Sequence, residues 1–80
     1  MDIERVTERF LIDEIMFGSR TSIDPHESLV TSGIIDSLAL LRLVSYLEGQ
    51  FGVTFEDGEV IRDHFETISA IKTLVESKLR

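Results

Sequence analysis

Three apolar stripes recur at helical spacing along this chain, and no stretch alternates apolar and polar residues as a half-buried strand would. Ile3, Val6, Phe10 and Phe17 fall on one side of a first helix, widened by Leu11, Ile12, Ile15 and Met16. Leu40, Leu43, Val44, Leu47 and Phe51 form the second stripe, and Ile68, Ile71, Val75 and Leu79 the last. The punctuation agrees with the stripes. Asp2 is suited to cap the first helix, and Gly18 to stop it. The second helix is expected from about Ser37 to Phe51, with Gly52 as its breaker. Thr67 is suited to cap the last, whose C-terminal end carries Lys72, Lys78 and Arg80 to complement the helix dipole. Between them, "VTFEDG" reads as a connector and "EVIRDHF" as one or two helical turns. The expectation is an all-α fold: an antiparallel bundle of three longer helices plus one short helix, with a long loop between helices one and two. Eighty residues suit one domain spanning 1–80, and Met1 with a full set of elements suits a free-standing chain.

The loop, "GSRTSIDPHESLVTSGIID", covers residues 18–36 and holds the only proline, Pro25. A turn is expected around Pro25 to Leu29, and Ile23, Leu29, Val30, Ile34 and Ile35 should pin the loop to the core. An irregular segment of this length in a compact domain is usually functional. It ends on Asp36 and Ser37. Taken alone, an Asp before a helix is an ordinary N-cap. Ser37, however, stands at an accessible loop-to-helix junction, where a helix N-terminus favours an incoming phosphate. Leu38 points away from the second stripe, Leu41 lies at its margin, and Arg42 shares the outer side, so these three are candidate partner-binding residues. No base accompanies Ser37. There is no G-x-S-x-G elbow, and His26 and His64 lie elsewhere in the chain. Any chemistry at Ser37 therefore needs another protein to activate the hydroxyl.

Charge narrows the partners. Fifteen acids against eight bases give a formal charge of -7, which argues against nucleic acid, since phosphate binding needs a cationic face. It suits partners with basic patches. The chain has no cysteine, hence no disulfide framework and no thiolate site, and its two histidines lack metal-ligand spacing. The "FEDGEV" stretch fails as a calcium loop because Val53 and Phe55 stand where oxygen ligands are needed before Gly58. No apolar run is long enough for a membrane span, and "MDIERVTERF" has no signal-peptide pattern, so a cytoplasmic protein is expected. No set of titrating residues converges in sequence, so no catalytic residue is assigned and the chain is not expected to be an enzyme.

The chain resembles the acyl carrier protein family, including its aminoacyl and peptidyl carrier relatives. The resemblance runs through "DIERV", the long loop, "GIIDSLALLRLVSYLEGQFGV" and "HFETISAIKTLVESKL", and centres on Asp36-Ser37-Leu38 after Ile34-Ile35. It implies that Ser37 is the attachment point for 4'-phosphopantetheine, supplied from coenzyme A. A phosphopantetheinyl transferase would provide the base and Mg2+, with Asp36 helping to orient that ion during attachment. Acyl or aminoacyl groups would then ride as thioesters on the arm. A loading ligase or synthase would deliver them, and a downstream transferase would take them from a monomeric, non-catalytic carrier. The missing cysteine fits this picture, the working thiol being the arm's own. One departure stands out. Fatty-acid carriers of this family tend to place acids along the exposed side of helix two, where this chain has Leu38, Arg42 and Ser45, with only Glu48 at the flank. Its acids gather in helix one (Asp2, Glu4, Glu8, Asp13, Glu14) and around the short helix (Glu56, Asp57, Glu59, Asp63, Glu66). That pattern suggests a dedicated carrier, for amino acids or one biosynthetic pathway. The rival reading is a small all-helical interaction module without a prosthetic group, in which Asp36-Ser37 is only a cap.

Overall fold

The computed structural model describes residues 2–80. Its helices are α1 (Ile3–Phe10), α2 (Ser37–Phe51), α3 (Arg62–Phe65) and α4 (Ile68–Leu79), with one 3-10 turn at Asp57–Glu59. This is the all-α bundle expected, with the long loop where it was placed. Among the described residues no helix is long and apolar enough to cross a membrane.

The caps form as read. The Asp2 carboxylate accepts the Arg5 N–H at 3.1 Å, and the Thr67 hydroxyl accepts that of Ala70 at 3.0 Å. Helix α2 keeps its expected bounds and stops at Gly52, whose φ of 66° is left-handed and open to glycine without strain. Leu43 and Leu47 are fully buried in the middle of its stripe.

Helix one departs from expectation after Phe10. Residues Leu11–Ile15 widen into a π turn, with the Met16 N–H on the Leu11 carbonyl at 2.9 Å and the Gly18 N–H reaching Ile12 at 2.7 Å. The wider turn breaks the 3.6-residue period. Phe17, seven residues after Phe10, therefore lands off the core side, at a φ of 53° and 84% exposed. The expected core position for Phe17 is wrong for that reason. Inside the helix, Thr7 rather than Val6 occupies the fully buried position. At the other end Leu79 is 52% exposed, while Leu74 is buried in its place. The inward side of the last turns follows Ile71, Leu74, Val75 and then Lys78. The Lys78 ammonium lies 5.5 Å over the Phe55 ring and 2.6 Å from Glu59.

The long loop is stapled rather than loose. Ile23, Leu29, Ile34 and Ile35 are buried, and Val30 is half-buried. Hydrogen bonds to the backbone hold the loop at three points. The Ile23 N–H donates to Glu8 at 2.8 Å, Leu29 N–H to the Glu66 carbonyl at 2.8 Å, and Ser69 N–H to the Pro25 carbonyl at 3.0 Å. Arg20 grips Glu27 with two bonds of 2.8 Å. The Ser28 hydroxyl donates to Glu66 Oε1 at 2.6 Å, and Arg62 holds Oε2 of the same carboxylate at 3.0 Å. Carboxylates read from sequence as surface charge thus hold the irregular segments in place.

Two outcomes test this packing. Leu47→Ala, which opens a cavity in the core, should cost about 2–5 kcal/mol in urea denaturation, whereas Leu38→Ala should change stability by less than about 0.5 kcal/mol. Equal losses would mean the faces of α2 are misassigned. The second concerns Glu66. The Ser28 hydroxyl, and then Arg62, hold its carboxyl below the usual carboxylate range. A folded-state value below the unfolded one stabilises the fold above the unfolded value of about 4.3, and that contribution disappears as pH falls through the folded value. Carboxyl NMR should show Glu66 titrating below the usual carboxylate range, and Ser28→Ala should move it upward. A Glu66 curve unaffected by Ser28→Ala would refute the latch.

Candidate functional site

Burial of Ile34 and Ile35 ties the end of the loop to the core, and a left-handed Gly33 at φ 81° turns the chain just before them. The next residue, Asp36, is extended, and its Oδ1 accepts the Ala39 N–H at 2.8 Å. Its carbonyl takes the Leu40 N–H at 2.9 Å, starting the helix. The cap reading of Asp36 is therefore correct as structure. A carboxylate has further lone pairs, so capping leaves it able to take another partner. Ser37 follows as the first helical residue, exposed at the end of α2.

Two concavities flank this junction. One, of about 320 Å³, is lined by Ser37 and Asp36 together with Val30, Ile35, Leu40, Phe65 and Arg62. Its walls are largely apolar, and Arg62 is its one cation. The other, of about 250 Å³, lies on the far side of Asp36 and includes Phe17, Leu38 and Arg42. Leu38 is 69% exposed and Leu41 62%, so the outer face of α2 carries apolar side chains in solvent close to Ser37. Arg42 stands on that face with Glu14 Oε1 4.0 Å away, an exposed pair too long and too solvated to hold it firmly. Glu48, the one acid expected at the flank, is diverted: its carboxylate accepts the Phe55 N–H at 2.9 Å and anchors the connector after α2.

The structure thus brings Asp36, Ser37 and Leu38 to one end of α2, with Leu41 and Arg42 about one turn along. It adds two residues that sequence reasoning missed. The helical period that places Phe17 in the core is broken by the π turn. Arg62 had been read only as part of a short helix. Its position beside Ser37 is a tertiary fact, carried by the packing of Phe65 and by no local pattern. His64 stays out of the site. Its Nδ1 donates to the Glu59 carbonyl at 2.9 Å.

Comparison with known proteins agrees with this geometry. A family model described as "Phosphopantetheine attachment site" matches residues 14–75. No curated protein matches the chain. Among solved structures, a chain from "Crystal structure of FAD-dependent dehydrogenase" superposes with a TM-score of 0.78 at 26% identity, covering 86% of this chain and 97% of that one. The fold is therefore shared with a chain of similar length. The match over most of the sequence, on a helical bundle with an exposed hydroxyl at a helix start, leads to one conclusion: the chain belongs to the phosphopantetheine-attachment family, whose members bear covalent 4'-phosphopantetheine and typically serve as non-catalytic carriers.

Proposed function

We propose that Ser37 is the residue that receives 4'-phosphopantetheine, and that residues 1–80 act as one carrier domain moving acyl or aminoacyl groups as thioesters in a dedicated pathway. The observation that carries this reading is the placement of an exposed Ser37 at the start of α2, beside an apolar groove with a single arginine. The residues fit the group. A hydroxyl is available for a phosphodiester, a cation stands near the charge it would bring, and an apolar wall lies along the arm's path.

In attachment, Ser37 Oγ loses its proton to a base of the transferase and bonds to the pantetheine-bearing phosphorus of coenzyme A. The pyrophosphate P–O bond breaks, and 3',5'-adenosine diphosphate leaves. Asp36 sets the orientation of Ser37 through the cap, and its remaining lone pairs would be available to a transferase-held Mg2+. Once attached, the arm supplies the thiol that this cysteine-free chain lacks. Burial of Ile34, Ile35, Ala39 and Leu43 keeps the junction rigid while partners exchange.

Leu38, Leu41 and Arg42 form the surface nearest Ser37 that a partner must meet. Apolar contacts at an interface centre set affinity, while rim charge sets encounter and excludes wrong partners. Arg42 in this position favours partners without a purely basic docking groove. The structural likeness adds a partner class. The matched chain, of similar length to this one, comes from a structure described as that of an FAD-dependent dehydrogenase. We propose a flavin-dependent dehydrogenase acting on the carried group as one partner of this carrier.

Incubation with coenzyme A and a broad-specificity transferase should add one phosphopantetheine to the wild-type chain and none to a folded Ser37→Ala variant. Modification of that variant on another serine would refute the assignment. With a cognate loading enzyme, Leu38→Ala should lower kcat/KM about tenfold, equivalent to about 1.4 kcal/mol, with the melting curve unchanged. An unaltered kcat/KM would remove Leu38 from the partner surface.

A further inference from the structure

We propose that Arg62 is a positioning residue for the arm: its guanidinium exchanges Glu66 for the phosphodiester on Ser37 and lays the adjoining pantoyl segment along the wall formed by Val30, Ile35, Leu40 and Phe65. The inference rests on the reading of Ser37 as the attachment residue.

Three observations carry it. Arg62 and Ser37 line the same concavity, one from α3 and the other from the start of α2. The remaining wall is apolar except for Asp36, whose carboxylate repels a phosphate and leaves Arg62 as the counter-charge on that side. A phosphodiester at Ser37 therefore meets one cation on the groove side, and it is Arg62. The existing partner of Arg62 is one it can leave cheaply. The Arg62 side chain is 63% exposed and touches the half-buried Glu66 through Nε at 3.0 Å, a largely solvated pair that contributes little. Glu66 keeps a partner when Arg62 leaves, since the Ser28 hydroxyl donates to its other oxygen at 2.6 Å. Arginine is also suited to the task, because its planar fork matches two phosphate oxygens where lysine offers a point charge. The apolar wall complements the two methyl groups that follow the phosphate in the arm. An arm held at its base would leave the thiol end to move, while restricting the directions in which it is presented.

The test uses the holo protein, labelled with 15N and 13C, with attachment to Ser37 verified first by mass. In wild type, the Arg62 Nε–H resonance should shift between apo and holo forms, and the arm's methyl protons should show contacts to Phe65 and Leu40. In Arg62→Gln, the 31P resonance of the phosphodiester should move from its wild-type position and the methyl contacts should be lost. Arg62→Lys should retain part of both effects. Matching apo spectra for the variants away from residue 62 establish that the fold is kept. A holo protein with an unchanged Arg62 Nε–H, a 31P resonance identical in wild type and Arg62→Gln, and no methyl contacts would overturn the role of Arg62 alone. Absence of the arm from Ser37 would overturn the attachment reading, and this inference with it.

Discussion

Burial of Leu29 is the constraint on which the rest of the structure depends. The segment between the first two helices is long and mostly polar, and its entropy would keep it from directing anything unless apolar anchors fixed it. Leu29 is fully buried, its N–H is taken by the Glu66 carbonyl, and its own carbonyl accepts the Ile35 N–H at 3.0 Å. The Leu29 backbone thereby ties the loop both to the end of α3 and to the residues just before α2. Ile34 and Ile35 follow into the core, and Asp36 emerges where its carboxylate can cap the helix. Ser37 is held in its exposed position by the burial of Ile34 and Ile35 before it and of Ala39 after it. The hydroxyl is presented by a rigid frame, although it lies at the end of an irregular segment.

The acidic excess has a structural side. Glu8, Glu48, Glu59 and Glu66 each satisfy a donor on an irregular segment: Ile23 N–H, Phe55 N–H, Glu56 N–H and the Ser28 hydroxyl. These bonds replace the ladders that regular structure would have provided. They also withdraw carboxylates from the surface available to partners. Beyond Asp36, the exposed side of α2 nearest Ser37 carries leucines and Arg42.

Much of this was legible in the sequence. The α2 stripe, its Asp36 and Gly52 ends, the Thr67 cap and the loop anchors are local signals, since each rests on residue type and spacing alone. Phe17 was misread because the stripe of helix one was continued at 3.6 residues per turn through a segment that widens to a π turn. Nothing in "LIDEI" announces the change of period. Leu79 was misread because the inward side of the last turns is decided by Lys78 reaching Glu59, a contact across the bundle. Arg62 was invisible for a related reason: a four-residue helix has no stripe, and its place beside Ser37 follows from the burial of Phe65. The family likewise was legible from Asp36-Ser37-Leu38 in its helical context, whereas the cargo is encoded in no local pattern of so short a chain.

The most direct measurement is the position of the prosthetic group on the wild-type chain. Holo protein, digested and fragmented in a mass spectrometer, should carry a single phosphopantetheine on the peptide containing Asp36-Ser37-Leu38, with fragment ions placing it on Ser37. A group found on Ser22, Ser32 or any other hydroxyl, or a chain that remains unmodified by every transferase offered, would contradict the account.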